Sequence, residues 1–164
     1  MAKKSDNTSK SAGKFTPTIT NKKARFEFEL LEKFEAGLVL VGTEVKTLRQ
    51  GKANLEEAFA RIRDDELYLM GCNIPIYEYG NIANHDPLRP RKLLVHRREM
   101  KKIQTKLTQK GYTLVPLRIY FVHGLAKIEI ALAQGKTHGD KRQKVKDREM
   151  TRDISRAMQK KFRR

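Results

Sequence analysis

The excess positive charge of this chain is confined to its two ends. Residues 1–25 carry seven Lys or Arg against one acid, and residues 134–164 carry twelve against four; the stretch between, 26–133, carries seventeen against fourteen. A net charge of +17 on 164 residues is therefore not a uniform coat but a nearly neutral middle with two cationic extensions. Only the middle can bury enough apolar surface to build a core, because the ends combine high charge with few apolar groups. Charge spread for solubility needs no such segregation, whereas a polyanion-binding protein does. Each phosphate neutralised by Lys or Arg releases condensed counterions, so the arms read as nucleic-acid contacts.

Several classes of protein are excluded by what the chain lacks. A single cysteine, Cys72, rules out an internal disulfide framework and a multi-cysteine metal site. No apolar run approaches the ~20 residues of a membrane span, and the basic start MAKKSDNTSKSAGK is not followed by the apolar core of a secretory signal. A reducing cytoplasm is the expected location. Gly135-Lys136-Thr137 imitates the end of a phosphate-binding loop, but Ile130 stands where that loop needs its first glycine. His85, His96, His123 and His138 have no ligand spacing with Cys72 or with one another, so no metal and no cofactor are expected. Asp64-Asp65-Glu66 reads as a solvated turn rather than a carboxylate pair for acid–base work, and Cys72 as a small core residue.

Along the chain, residues 1–18 form a flexible basic arm, 19–133 a folded body and 134–164 a basic tail. Phe26, Phe28 and Leu30 alternate with acids as a strand, and Ala36-Gly37 is expected to end it before a second, buried strand over Leu38–Val41. Glu44 to Gln50 suits a short helix stopped by Gly51. Residues 58–63 and 66–70 read as a hairpin about an acidic turn. Residues 77–92 read as a long exposed loop. Met100, Ile103 and Leu107 mark one face of a helix that ends at Gly111. Tyr112–Val122 reads as a strand in which Pro116 marks an edge or a bulge. After His123-Gly124, the alternation of Ala126, Ile128, Ile130 and Leu132 with Lys127, Glu129 and Ala131 gives its hairpin partner. The fold expected is mainly β with flanking helices: a small antiparallel barrel of the oligonucleotide-binding (OB) type. In the tail, Met150, Ile154, Ala157 or Met158 and Phe162 recur at helical spacing behind Asp140 as N-cap. So thin a stripe is marginal as a free helix, so the tail is expected to be disordered alone and helical when bound to nucleic acid.

Three places carry chemistry suited to RNA. Glu35-Ala-Gly37 sets an acid beside glycine turns; amid so much positive charge a carboxylate is unsuited to phosphate and suited to a base edge or a 2′-hydroxyl. Arg89-Pro-Arg91-Lys92-Leu93-Leu94-Val95-His96 combines cations for phosphates with Leu94 and His96 for unstacked bases. Asp140-Lys141-Arg142 adds a helix cap and two cations at the tail.

In this order, these features resemble the SsrA-binding protein family, also called small protein B. The matching segments are Asn21-Lys-Lys-Ala-Arg25, Glu35-Ala-Gly37, Gly42-Thr-Glu-Val-Lys46 with Leu48-Arg49, Asn84-His-Asp-Pro87 with Arg89, Arg91-Lys-Leu-Leu94, and Gly135-Lys136 ahead of Asp140-Lys-Arg142. The resemblance implies a bacterial cytoplasmic protein with an OB-type barrel. It implies binding to the tRNA-like domain of transfer-messenger RNA (tmRNA) and action in trans-translation, the rescue of stalled ribosomes. The tail would become helical in the small-subunit decoding region and the empty mRNA channel, in place of an anticodon–codon pair. Elongation factor Tu and alanyl-tRNA synthetase would act on the same RNA, and the protein itself would be a monomeric adaptor, not an enzyme. Lys22, Lys23, Arg25, Glu35, Lys46, Arg89, Arg91, Lys92, Leu94 and His96 would then contact the tRNA-like domain. Lys136, His138, Asp140, Lys141, Arg142, Arg148, Arg152, Arg156, Ala157 and Met158 would serve the ribosome-binding tail. The alternative reading from the residues alone is a ribosomal-RNA-binding or ribosome-assembly protein.

Overall fold

The computed structural model describes residues 17–80, 84–108 and 111–136, together with Met150, Arg152, Ile154, Arg156, Met158 and Gln159. The elements run β1 (Ile19–Thr20), α1 (Ala24–Glu27), β2 (Phe28–Leu38), α2 (Gly42–Arg49), β3 (Phe59–Arg63), β4 (Glu66–Met70), β5 (Arg91–Leu94), α3 (Arg97–Leu107), β6 (Tyr112–Val122) and β7 (Leu125–Gly135). The strands form one antiparallel sheet in the order β1-β6-β3-β4-β5-β2-β7. Pairing of β6 with β7 closes the ring from β6 round to β7 and leaves β1 as a flanking strand. Closure of the ring leaves no open sheet edge on the barrel itself.

The two tight hairpins come from turn chemistry. Asp64 and Asp65 both adopt positive φ, 51° and 57°, between β3 and β4; His123 and Gly124 do the same, 49° and 82°, between β6 and β7. Positive φ at both central turn residues matches the twist of the flanking strands. Pro116 is not at an edge: β6 is paired on both sides, and its register shifts between Pro116 and Arg118. That bulge frees the carbonyls of Pro116 and Leu117, and Asn21 takes both. Its side-chain amide donates to Pro116 O at 3.2 Å and its backbone N–H to Leu117 O at 2.8 Å.

The barrel interior is lined by Phe34, Ala36, Leu38, Ala60, Leu67, Leu69, Leu93, Leu114, Ile119, Ile128, Ile130 and Leu132. Leu48 of α2 and Ile103 of α3, both wholly buried, join the same cluster. A second, smaller cluster lies outside the wall: Val115, Leu117, Ala131 and Ala133 pack with Ala24 of α1 and with Phe28 and Leu30. Residues 128–133 of β7 are thus buried on both faces, so Ala131 is not on a solvated face as the alternation suggested.

Four expectations are corrected. Gly37 does not break β2, which runs through it to Leu38; Leu38–Val41 is not a separate strand, and Val39–Val41 lead into α2. The Leu94 side chain leans over Gly37, within van der Waals reach of where a Cβ would stand, 3.4 Å from Leu94 Cβ. The strand expected from Phe26 begins at Phe28, since Ala24–Glu27 form α1, and a short strand, β1, precedes it. The loop expected over 77–92 gives way to β5 at Arg91. β7 continues to Gly135, so the tail leaves the body two residues later than expected, and the Lys136 backbone N–H still donates to Glu27 O at 3.0 Å. No helix among the described residues is long and apolar enough to cross a membrane.

Candidate nucleic-acid interface

Strand register places the expected residues on the outside of the barrel wall. Gly37 pairs with Leu94 on one side and Lys127 on the other, and Lys127 pairs with Tyr120. Side chains directly opposite in antiparallel strands share a face, so Leu94, Gly37, Lys127 and Tyr120 form one row across β5, β2, β7 and β6. The adjoining row is Glu35, Glu129 and Arg118. Lys33, two residues before Glu35, shares that face. Leu94 is 55% exposed, an apolar side chain lying flat over a glycine, and suits contact with a base. His96 is exposed at the start of α3, where its backbone N–H donates to Glu99 Oε2 at 3.3 Å.

Glu35 is less free than the sequence suggests. Its carboxylate accepts a hydrogen bond from Lys127 Nζ at 2.5 Å and another from the Tyr120 hydroxyl. Lys127 first and Tyr120 second hold its carboxyl below the ordinary range, so it is ionised at neutral pH. Burial and then Glu35 push the Tyr120 phenol up to about 12. Arg118 lies over the Tyr120 ring, 5.1 Å from its centroid. Tyr120 is thus fixed at its hydroxyl and covered on one face by a cation, an orientation suited to an aromatic platform. Beside it, Glu129 accepts from Lys33 at 3.0 Å and from Arg118 at 2.5 Å, one carboxylate oxygen for each. Burial disfavours its charge, but those two cations outweigh it and keep its pKa lowered.

A second network sits inside the body. Glu44 is wholly buried, and its Oε1 accepts from Arg89 Nε at 2.9 Å and Arg91 Nε at 2.8 Å. Its Oε2 accepts from Arg89 Nη2 at 2.5 Å and from the Val41 backbone N–H at 2.8 Å, closing the first turn of α2. Arg91 also donates from Nη1 to Cys72 O at 2.5 Å and from Nη2 to Pro87 O at 2.9 Å. Burial opposes the Glu44 charge, yet Arg89, the Val41 N–H and Arg91 together hold its pKa below the ordinary range. Burial pushes the Cys72 thiol up to about 11, which suits a packing residue and not a nucleophile.

These contacts sort the residues expected to meet RNA. Glu35, Leu94 and His96 lie at or beside one face, and Lys22 and Arg25 border it in a cleft with Lys33 and Arg118. Lys92 pairs with Glu66, on the β4 side of that face. Lys23 points elsewhere, to Glu56 at 2.6 Å, and Lys46 stands over the Tyr77 ring at 5.2 Å. Arg91, with a wholly buried side chain, cannot reach an external phosphate; it holds the segment that leads into β5. Arg89 is partly exposed and likewise committed to Glu44. In the tail, Lys136 is tied to α1, its Nζ 3.2 Å from Arg25 O. Arg152, Arg156 and Met158 are helical and exposed. His138, Asp140, Lys141, Arg142, Arg148 and Ala157 lie outside the described residues. Sequence reading missed Lys33, Glu44, Arg118, Tyr120, Lys127 and Glu129. The polar alternation of β7 marked Lys127 and Glu129 as outward, which was the available signal. Among the described residues there is no group of three His, Cys, Asp or Glu side chains placed to hold a metal ion.

A small closed antiparallel barrel with a cationic outer wall, an aromatic platform and an exposed apolar shelf defines an OB-type nucleic-acid-binding protein. The family profile described as SmpB protein matches residues 18–160. The SsrA-binding protein of Desulforudis audaxviator is 54% identical over 137 residues, covering 84% of this chain and 90% of its own. That of Syntrophomonas wolfei is 49% identical over 142 residues, covering 87% and 90%, and that of Geobacter sulfurreducens is 51% identical over 141, covering 86% and 92%. A solved chain described as "tmRNA-SmpB: a journey to the center of the bacterial ribosome" matches with a TM-score of 0.65 and 48% identity, over 79% of this chain and 95% of that one. The chain belongs to the SmpB family, an RNA-binding family.

Proposed function

We propose that this protein is the tmRNA-binding adaptor of trans-translation: the barrel grips the tRNA-like domain, and the tail engages the decoding region and empty mRNA channel of a stalled ribosome. The observation that carries the reading is the outer wall of β5, β2, β7 and β6. There Leu94, Tyr120 and Lys127 surround an ionised Glu35 on a rigid sheet. Such a face contacts bases and ribose as well as phosphate, which a structured RNA elbow requires. The likeness in sequence and fold to a chain solved in the tmRNA–SmpB setting supports the choice of RNA. The protein acts by bridging and not by catalysis, and works in the bacterial cytoplasm, where elongation factor Tu and alanyl-tRNA synthetase handle the same RNA. The described tail positions are helical but exposed, so at those positions the tail turns its surface outward, to a partner.

The test is to isolate the protein from its own cells and sequence the RNA that accompanies it. One dominant small stable RNA is expected; a spread of ribosomal RNA fragments in its place would favour the ribosome-assembly reading. A residue-level prediction accompanies it. Glu35→Ala removes a negative charge, yet it frees Lys127 and the Tyr120 hydroxyl, so binding to the tRNA-like domain weakens while binding to unrelated RNA holds or tightens. Parallel filter-binding titrations with both RNAs check this, and equal changes for the two would remove Glu35 from recognition.

A further inference from the structure

Glu129 and Arg118 of the Glu35 row also form part of a cleft with a different construction. One wall is the segment from Thr20 to Arg25, the other the outer face of β2, β7 and β6. The wall is pinned by Asn21, whose buried side chain donates to Leu55 O at 2.8 Å and accepts from the Lys23 and Ala24 backbone N–H groups at 3.1 and 3.0 Å. Those bonds set Lys22 and Arg25 along the cleft. Across from them stand Lys33 on β2 and Arg118 on β6, with Glu129 on the strand between. Because Glu129 gives one oxygen to each, the two cations are held at a fixed separation, and each keeps further N–H donors unspent on that carboxylate. Among the described residues, Lys22, Arg25, Lys33 and Arg118 line the cleft, with the nearly buried Glu129 carboxylate between the last two.

We propose that this cleft seats backbone phosphate of the RNA held by the barrel, and that Glu129 is a positioning residue which keeps Lys33 and Arg118 aimed into it. The inference rests on the tmRNA-binding reading and adds to it a phosphodiester site that borders the row of Leu94, Lys127 and Tyr120. Two cations on a flexible surface would wander and gain little on meeting a phosphate; a pair braced by a carboxylate meets it without reorganisation. The root of the tail adjoins the site, because Lys136 Nζ bonds to the Arg25 carbonyl. RNA in the cleft therefore passes beside the point where the tail leaves the body.

The distinguishing variant is Glu129→Gln in the full chain. It raises the net positive charge, so diffuse attraction predicts tighter binding, whereas loss of the brace predicts weaker binding. With a transcript of the tRNA-like domain as probe, anisotropy titrations across a salt series should show Glu129→Gln binding about fivefold more weakly at about 0.15 M salt, with the slope of log K against log salt reduced by about one. Lys22→Ala, at an exposed residue of the wall that cannot disturb the core, should give a similar slope change. Arg63→Ala removes the same charge from the end of β3 and should stay within about twofold of the parent. Equal or tighter binding by Glu129→Gln at an unchanged melting temperature overturns the proposal, as does a Lys22→Ala effect no larger than that of Arg63→Ala. If the parent protein binds this transcript no better than an unrelated duplex of equal length, the tmRNA reading falls and the cleft with it.

Discussion

Deleting residues 139–164 is expected to abolish the tagging of stalled peptides while leaving the affinity for the tRNA-like domain largely intact. The expectation follows from where the barrel is built. Its last strand ends at Gly135, the Lys136 backbone N–H bonds back to Glu27, and among the described residues both hydrophobic clusters are built within 19–132 and 24–133. The tail adds long-range attraction for any polyanion, and salt screens that term beyond about a Debye length, ~8–10 Å. The comparison is therefore made at near-physiological salt or above, with tagging followed on a message that lacks a stop codon in a reconstituted translation reaction. Tagging by the truncated chain would show that the body alone accommodates on the ribosome. A large loss of RNA affinity would move the tail into the primary RNA contact.

Glu44→Gln is the most damaging single change expected in the body. Arg91 is wholly buried, and Glu44 is its only carboxylate partner among the described residues. Breaking a buried pair strands a charge and costs about 3–5 kcal/mol, which for a domain of this size lowers the melting temperature by about 10 °C or more. Thermal and urea unfolding of the variant measure it, and a loss below about 1 kcal/mol would make the network peripheral. The pH dependence has a definite sign. Glu44 has a folded pKa below its unfolded one, so its contribution is full above the ordinary carboxylate range and is lost as pH falls through the lowered folded value. The variant should lack that part of the acid sensitivity. Replacing Glu44, Arg89 and Arg91 together with apolar residues of matched size should restore much of the loss, because no charge is then left unpaired.

The contrast between those two networks shows what a sequence of this kind discloses. Hairpins set by Asp64-Asp65 and His123-Gly124 are local events, and local chemistry announces them. So does α3, whose Ile103 and Met100 fall on one face of a single stretch of chain. Gly37 misleads because glycine reads as a breaker; that it sits within a continuous strand, under the Leu94 side chain, is visible only once β5 lies alongside. Arg91 misleads in the same way. Arg-Pro-Arg-Lys reads as a basic loop until Glu44, 47 positions earlier, is found to claim it. Glu35 was legible as unusual, but its partners Tyr120 and Lys127 lie 85 and 92 residues away, so its role as an anchor for a platform was not. Charges signal their number in a sequence and their commitments only in a fold.

β7 is bonded along its length to β2 on one side and to β6 on the other, and it is the strand that the tail follows in sequence. Tension drawn along that extension by a moving ribosome therefore loads two rows of interstrand bonds in shear, all at once, instead of peeling them one at a time. The body is anchored to its own appendage as a rope is spliced rather than knotted, and should stay folded under pulls that would strip an edge strand away.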